Sequence, residues 1–310
     1  MDPGLLLTHK PRGATSSSLV RTLQAQAIEE GHAPGALPIC HAGALDPFAE
    51  GLLILLAGPA ARLMEDLHPI PKSYEAEVIW GTETDTGDLL GRSIASAGAG
   101  GLSPALLDRA LLPFLGWREQ VPPATSNKRV GGERAYARAH RGEEVVLPEV
   151  PVFLYQARWL AHDLPRSSRL FLSCRGGYYV RSLARDLGRA LGCPAHLGGL
   201  ARSSIGPWRD PGPGAQEWVR GSALLPWLPS RALTEEEAIR AELRRPIPCG
   251  VIDPPAWPLP EGFAGPDAQV PRRARTEPPP VRGLCGGKLR LLLRARGDQL
   301  LLRTDLDGGI

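Results

Sequence analysis

The chain has 310 residues, of which 43% are hydrophobic and 22% charged, and these proportions of a soluble globular protein exclude wholesale disorder. There are 36 basic and 33 acidic residues, and only four of the basic residues are Lys. This preference for Arg over Lys permits a nucleic-acid partner, but the codon usage of a GC-rich genome also explains it. Five widely spaced cysteines fit a reducing cytoplasm, and neither a run of about 18 apolar residues nor a secretory signal is present, so we expect a cytoplasmic protein without membrane association.

The first 228 residues predict an α+β domain. Helices are predicted at residues 16–28, 104–115 and 178–191, where apolar residues recur at helical spacing, and strands at 74–80, 152–159 and 169–174. Because the strands are short and mostly alternating, we expect a mixed, mostly antiparallel central sheet surrounded by helices. Residues 120–148 are polar, Arg-rich and glycine-bearing, and they predict an exposed arm.

Composition changes after residue 228, so residues 229–310 are predicted to form a small β-rich module. Residues 232–245 predict a charged helix opened by Thr234. Residues 246–280 contain eleven prolines and are not expected to form regular structure. The last strand-like runs are joined at Gly297–Asp298, which indicates a hairpin.

The densest candidate for chemistry is the segment 40–58, CHAGALDPFAEGLLILLAG. Asp46 precedes a proline, which favours extended backbone, and Gly43 and Gly51 permit a large group to approach closely. A carboxylate on such a loop beside His41 suits a nucleophile or a base. Taken alone, however, an Asp-Pro pair with nearby glycines is more often a turn without function.

Two further clusters contain aromatic and basic residues. Tyr74 opens a predicted strand, where a buried ring with its hydroxyl in water is the simplest interpretation. Tyr179 and Arg181 follow a glycine turn at the start of a predicted helix. Arg181, Arg185 and Arg189 share one face of that helix, a pattern typical of a solvated basic stripe.

The sequence predicts neither a metal site nor a nucleotide cofactor. The pairs Cys40–His41 and Cys193–His196 lack a second pair at ligand spacing. Asp85 and Asp88 are better explained by a hairpin turn than by a cation loop. No Walker, Rossmann or nucleophile-elbow sequence is present.

Considered together, these segments resemble one family. HAGALDPFAEGLL (His41–Leu53) is similar to the signature of the TruB family of tRNA pseudouridine synthases, although Cys40 and Ala42 stand where that family usually has Gly and Thr. The resemblance continues in order through four more segments: KPRG at 10–13, KSY at 72–74, GTETDTGDLLG at 81–91 and CRGGYYVRSLARDLGRALGCPAHLGGLARSSIG at 174–206. Residues 233–248 resemble the opening of the family's C-terminal module, which is PUA-like, but the proline-rich stretch 252–280 has no counterpart.

The resemblance implies a role for each matching residue. Asp46 is expected to be the nucleophile, Tyr74 to stack on the target base and help to move a proton, and Arg181 to pair with Asp46. The expected substrate-binding residues are His41, Tyr179, Leu200, Gly43, Lys10 and Arg134. A buried Asp tends to gain a proton, and a guanidinium close to it opposes that tendency, which gives a physical reason for the pair.

The implied substrate is uridine-55 in the T loop of tRNA, isomerised without a cofactor by a monomeric enzyme of the pseudouridine synthase fold. A loop presents splayed bases more cheaply than a duplex does. Arginines of the arm, at positions 129, 134, 138 and 141, are expected to hold phosphates, and Arg134→Ala to reduce the salt slope of binding by about one. Two alternatives stay open: an RNA-binding or RNA-folding module without catalysis, and pseudouridylation of rRNA directed by a guide RNA.

Overall fold

The computed structural model describes residues 1–126, 129–130, 133–134, 141, 143, 147–260 and 278–310. Its largest element is a ten-stranded sheet. The strands are β1 Gly4–Lys10, β2 Ile39–His41, β3 Glu50–Ala57, β4 Lys72–Trp80, β7 Gly116–Gln120, β10 Val150–Asp163, β11 Ser167–Cys174, β12 Ala195–Ile205, β13 Trp208–Arg209 and β14 Gln216–Val219. Their order is β14-β1-β3-β12-β4-β11-β10-β7, with β2 beside β3 and β13 beside β12. Among the described strands of this sheet, only the β3–β12 pair is parallel. This mixed, mostly antiparallel sheet confirms the predicted fold class.

Smaller sheets and helices complete the fold. Two two-stranded hairpins pair β5 Thr82–Thr84 with β6 Ser93–Ser96 and β8 Arg129–Val130 with β9 Glu133–Arg134. A five-stranded sheet in the order β15-β17-β18-β19-β16 consists of Ser230–Ala232, Val281–Cys285, Lys288–Arg296, Gln299–Asp305 and Ile247–Pro248. The α-helices within the described residues are α1 Ser16–Glu29, α2 Met64–Leu67, α3 Pro104–Leu111, α4 Val180–Ala190 and α5 Glu235–Glu242.

Strand β3 shows why the sheet is buried on both faces. Its sequence EGLLILLA is apolar after the first residue, and alternate side chains point to opposite faces. Leu52, Ile54 and Leu56 pack with residues of the five-stranded sheet, whereas Leu53 and Leu55 pack under helix α1. The strand that follows Asp46 is therefore held from both sides.

Most predicted helices and strands are confirmed, with boundaries shifted by a few residues. The segment predicted at 104–115 ends as an α-helix at Leu111 and continues as a 3₁₀ turn. Thr234 caps α5 through a reciprocal pair of hydrogen bonds with Glu237. The hairpin at Gly297–Asp298 joins β18 and β19.

Two predictions are wrong in part. The proline-rich range 246–280 does contain a short strand, because Ile247–Pro248 pairs with β19. The range predicted as an exposed arm begins with buried residues, since Gln120 ends β7 and both it and Ser126 are buried. Within the rest of that range, the side chains of Arg129 and Arg134 and all of Arg138 lie outside the described residues.

Candidate active site

Asp46 lies on the loop between β2 and β3, and three hydrogen bonds of the loop's main chain hold that loop in place. Ala42 N donates to Ile54 O at 2.9 Å, and Gly13 N donates to Pro47 O at 2.8 Å. The buried hydroxyl of Ser16, at the start of α1, accepts a hydrogen bond from Leu45 N at 2.9 Å. The side chain of Asp46 is 35% exposed, so the carboxylate has a fixed backbone and an accessible surface.

Arg181, in the first turn of α4, contacts the Asp46 carboxylate through two of its nitrogen atoms. Its Nε lies 3.0 Å from Asp46 Oδ2, and its Nη2 donates to Asp46 Oδ1 at 3.1 Å. The two residues are 135 positions apart in the sequence. The Arg181 side chain is only 7% exposed, so the prediction of a solvated stripe is wrong at this position. This hydrogen bond and the close Nε–Oδ2 ion-pair contact orient the carboxylate and place a positive charge beside it.

Two further residues of the predicted basic stripe also have partners. Arg185 Nε donates to the carboxylate of its neighbour Asp186 at 2.8 Å. Arg189 Nη2 donates to Glu83 at 2.7 Å. The arginines of this helix face are therefore paired with acidic side chains, and Arg181 differs from the others in being buried.

Asp88 is a second carboxylate at the same guanidinium, and the sequence prediction assigned it only to a turn. The turn is confirmed, since β5 and β6 flank it. Asp88 Oδ2 lies 3.4 Å from Arg181 Nη1, and its side chain is 6% exposed. Its other oxygen accepts from Thr86 Oγ1 at 2.8 Å and from Leu90 N at 3.0 Å. The charge on Arg181 is thus shared by two carboxylates, of which Asp46 is the more exposed.

The electrostatic balance at Asp46 combines opposing effects. Burial is the largest and raises the pKa of the carboxyl, whereas the positive charge of Arg181 lowers it. Asp88 raises the pKa of Asp46 further and Lys10 lowers it. The net pKa lies above the ordinary value, so the ionised form depends on the contact with Arg181.

Tyr74 and Arg202 form a second buried pair beside this loop. They are directly opposite each other across β4 and β12, and the positive charge of the guanidinium lowers the pKa of the Tyr74 hydroxyl. Burial raises the pKa of Tyr74 to about 12, with Arg202 opposing the shift, so the hydroxyl is protonated at neutral pH. The prediction that this hydroxyl lies in water has to be corrected, because the whole residue is buried.

Arg202 also clamps the loop that carries Asp46. The residue is 1% exposed, and its Nε donates to Leu52 O at 2.7 Å. Its Nη2 donates to Gly43 O at 3.0 Å. Gly43 has a φ of 112°, a left-handed conformation that favours glycine. The structure therefore explains this glycine by the backbone conformation of the loop.

Lys10, the last residue of β1, is close enough to Asp46 for their charges to interact. It is fully buried, and its Nζ donates to the carbonyls of Pro11 at 3.0 Å and Ala14 at 2.8 Å. Burial lowers the pKa of Lys10 to about 8, although the negative charge of Asp46 acts in the opposite direction. The ammonium group therefore stabilises the turn at residues 11–14 and adds positive charge near Asp46.

The other predicted site residues occupy different positions. Leu200, on β12, belongs to the same apolar cluster as Tyr74. Tyr179 immediately precedes α4, and burial raises its pKa while Arg181 lowers it. His41 ends β2 and is partly buried. The side chain of Arg134 lies outside the described residues.

The described part of the site provides a carboxylate, a phenol and fixed guanidinium groups. Within the ranges that the structure describes, no three His, Cys, Asp or Glu side chains come together as a metal site. No helix in those ranges is long and apolar enough to cross a membrane. A carboxylate held in one orientation suits attack on an electrophilic carbon, and a buried phenol beside it suits passage of a proton.

Comparison with known proteins identifies the family. Residues 35–180 match the model of the N-terminal domain of the TruB family of pseudouridylate synthases. A tRNA pseudouridine synthase B of Xanthomonas campestris pv. campestris (strain 8004) is 37% identical over 250 residues, which are 81% of this chain and 75% of that protein. One of Synechococcus sp. (strain CC9311) is 35% identical over 294 residues, covering 86% of this chain and 95% of the relative.

Solved structures support the fold. The chain superposes with a TM-score of 0.65 on a chain of the crystal structure of a Cbf5-Nop10-Gar1 complex, at 17% identity, covering 98% of this chain and 84% of the other. At this level of identity the likeness concerns the fold alone. The curated relatives, which this chain matches over most of their length, show that the protein belongs to the TruB family of pseudouridylate synthases.

Proposed function

We propose that the protein isomerises a uridine of tRNA to pseudouridine, that the target is uridine-55 of the T loop, and that Asp46 is the nucleophile. The observation that carries the proposal is the Asp46–Arg181 contact, in which Nε and Nη2 meet the two carboxylate oxygens at 3.0 and 3.1 Å. The names of the curated relatives support tRNA as the substrate class.

The reaction requires no change of oxidation state. The C1′–N1 bond breaks with its electron pair going to the uracil, while a carboxylate oxygen of Asp46 bonds to C1′. After the base turns, C5 bonds to C1′ and the carboxylate leaves. The proton lost from C5 balances the one gained by N1, so substrate and product are isomers. Asp46 has to be ionised for the first step, because a protonated carboxyl group is a much weaker nucleophile than a carboxylate.

Tyr74 and Leu200 support the handling of an extruded base. Moving a base out of its stack costs a few kcal/mol, and an aromatic or apolar surface offsets part of that cost. Both residues belong to one apolar cluster beside the loop that carries Asp46. With a pKa of about 12, Tyr74 is suited to passing on a proton through its hydroxyl rather than to acting as a phenolate.

The test is incubation of the purified, unpartnered protein with unmodified tRNA, followed by mapping of pseudouridine. The expected product is a single pseudouridine at position 55, and Asp46→Asn is expected to retain tRNA binding but form no product. The matched control is Asp108→Asn, because Asp108 is exposed on α3. An active Asp46→Asn variant would show that another group is the nucleophile.

The same assay separates the alternative functions. Binding of tRNA by the wild-type protein without any isomerisation would favour an RNA-binding module. Activity that appears only when a guide RNA and protein partners are added would favour directed modification of rRNA. Sedimentation of the active protein tests the proposal that it is a monomer and binds the T-arm as one chain.

A further inference from the structure

Residues 120–125 cross the first turn of α4 and are tied to it by specific hydrogen bonds. The side-chain amide of Gln120 pairs with the backbone of Tyr179 in both directions: Nε2 donates to Tyr179 O at 3.0 Å, and Oε1 accepts from Tyr179 N at 2.9 Å. The carbonyl of Val121 accepts from Ser182 Oγ at 2.7 Å. The segment is therefore fixed to the helix turn that carries Arg181.

At the end of this segment, Thr125 contacts the guanidinium of Arg181 with its side chain and its main chain. Arg181 Nη1 donates to Thr125 Oγ1 at 2.6 Å, and Nη2 approaches Thr125 O at 3.4 Å. The same Nη1 donates to Thr86 O at 2.8 Å. A guanidinium has five N–H donors in a rigid plane, so acceptors at one end of the plane determine where the other end points.

We propose that Thr125 is a positioning residue, whose hydroxyl holds Arg181 in the orientation that keeps Nε and Nη2 against the Asp46 carboxylate. This inference rests on the proposed function, because it assigns to Asp46 the need for an ionised, aimed carboxylate. Thr125 acts through Arg181 and does not touch the reacting atoms. Its hydroxyl is neutral, so it orients the guanidinium without competing for its charge as Asp88 does.

Two substitutions separate the hydroxyl from the packing of the side chain. Thr125→Val keeps the shape and removes the acceptor, whereas Thr125→Ser keeps the acceptor and removes a methyl group. We expect Thr125→Val to lower kcat about tenfold, the factor that about 1.4 kcal/mol of barrier produces, with KM unchanged. Thr125→Ser is expected to retain wild-type kcat. Thermal unfolding of both variants establishes that they are folded.

The second readout is the titration of Asp46 followed by NMR of its carboxyl carbon, which requires no substrate. The charged and titratable groups that influence Asp46 are Arg181, Asp88, Lys10 and Tyr74. In Thr125→Val the guanidinium is less firmly held, so it lowers the pKa of Asp46 less. The titration, and with it the acidic limb of the kcat profile, is therefore expected to move to higher pH.

The outcomes distinguish this inference from the proposed function. An unchanged Asp46 titration in Thr125→Val, or a Val variant as active as wild type, would overturn the role of the hydroxyl. Equal impairment of the Val and Ser variants with wild-type titration curves would assign Thr125 to packing and also overturn it. A wild-type protein that makes no pseudouridine would overturn the function proposed above, whereas the titration still tests the contact.

Discussion

Replacing Arg202 by Met should destabilise the fold and reduce catalysis together. The guanidinium is buried and donates to Leu52 O at 2.7 Å and to Gly43 O at 3.0 Å, and Met fills similar volume without any donor. Each buried acceptor left without its donor costs about 1–3 kcal/mol, so the two carbonyls together cost about 2–6 kcal/mol. Removing a buried cation recovers part of that cost. We therefore expect a net loss of about 2–4 kcal/mol.

The assay is urea unfolding followed by tryptophan fluorescence, with Arg209→Met as the control, because Arg209 is exposed on the neighbouring strand β13. A loss of this size is a large part of the roughly 5–15 kcal/mol that stabilises a typical domain. Because Arg202 also anchors the loop that carries Asp46, kcat of the folded variant should fall as well. If the Arg202 and Arg209 variants unfold at the same urea concentration, the carbonyl clamp contributes nothing and the reasoning is refuted.

Two further predictions concern buried positions near the site. Burial lowers the pKa of Lys72 from 10.5 to about 7, so between these values the unfolded chain binds more protons than the folded one and stability rises with pH. Lys72→Met should flatten that rise in urea midpoints measured from pH 7 upwards, and an equally steep rise in the variant would contradict this. Gly51 has a φ of 103°, and an added Cβ would lie 2.3 Å from Arg202 O, so Gly51→Ala should cost about 2–6 kcal/mol through strain and overlap. The control is Gly31→Ala, which has the backbone strain without the overlap, because Gly31 has a φ of 94° and open space where the Cβ would lie. Equal losses of stability in the two variants would show that the overlap at Gly51 is relieved.

Helices and strands with strong hydrophobic periodicity could be predicted from the sequence. The leucine spacing of α4 and the alternation of β4 each predicted an element that the structure contains. Strand β12 was not predicted, because its sequence AHLGGLARSSI combines two glycines with serines and lacks regular alternation. Strand β1 was missed too, although three leucines follow its first glycine. Local patterns do not reveal strands whose burial is decided by their neighbours in the sheet.

In the candidate site, too, local sequence segments could be interpreted, whereas contacts between distant segments could not be predicted. Asp46 and Arg181 were singled out because their segments resemble a family. Asp88 was assigned only to a turn, because its contact with Arg181 joins residues 93 positions apart and produces no pattern in the local sequence. The contacts of Arg202 and Thr125 likewise depend on how distant segments cross, which neither spacing nor propensity encodes.

The apolar cluster that joins the two sheets has a consequence for protein engineering. Leu56, in the strand that follows Asp46, and Leu292, in the five-stranded sheet, belong to one buried cluster, together with Leu5 and Leu306. A chimaera that exchanges the C-terminal strands for those of a relative would bring together two half-cores that were never matched in shape. Recombination of such proteins should therefore succeed only when complementary residues on β1 and β3 are transplanted as well.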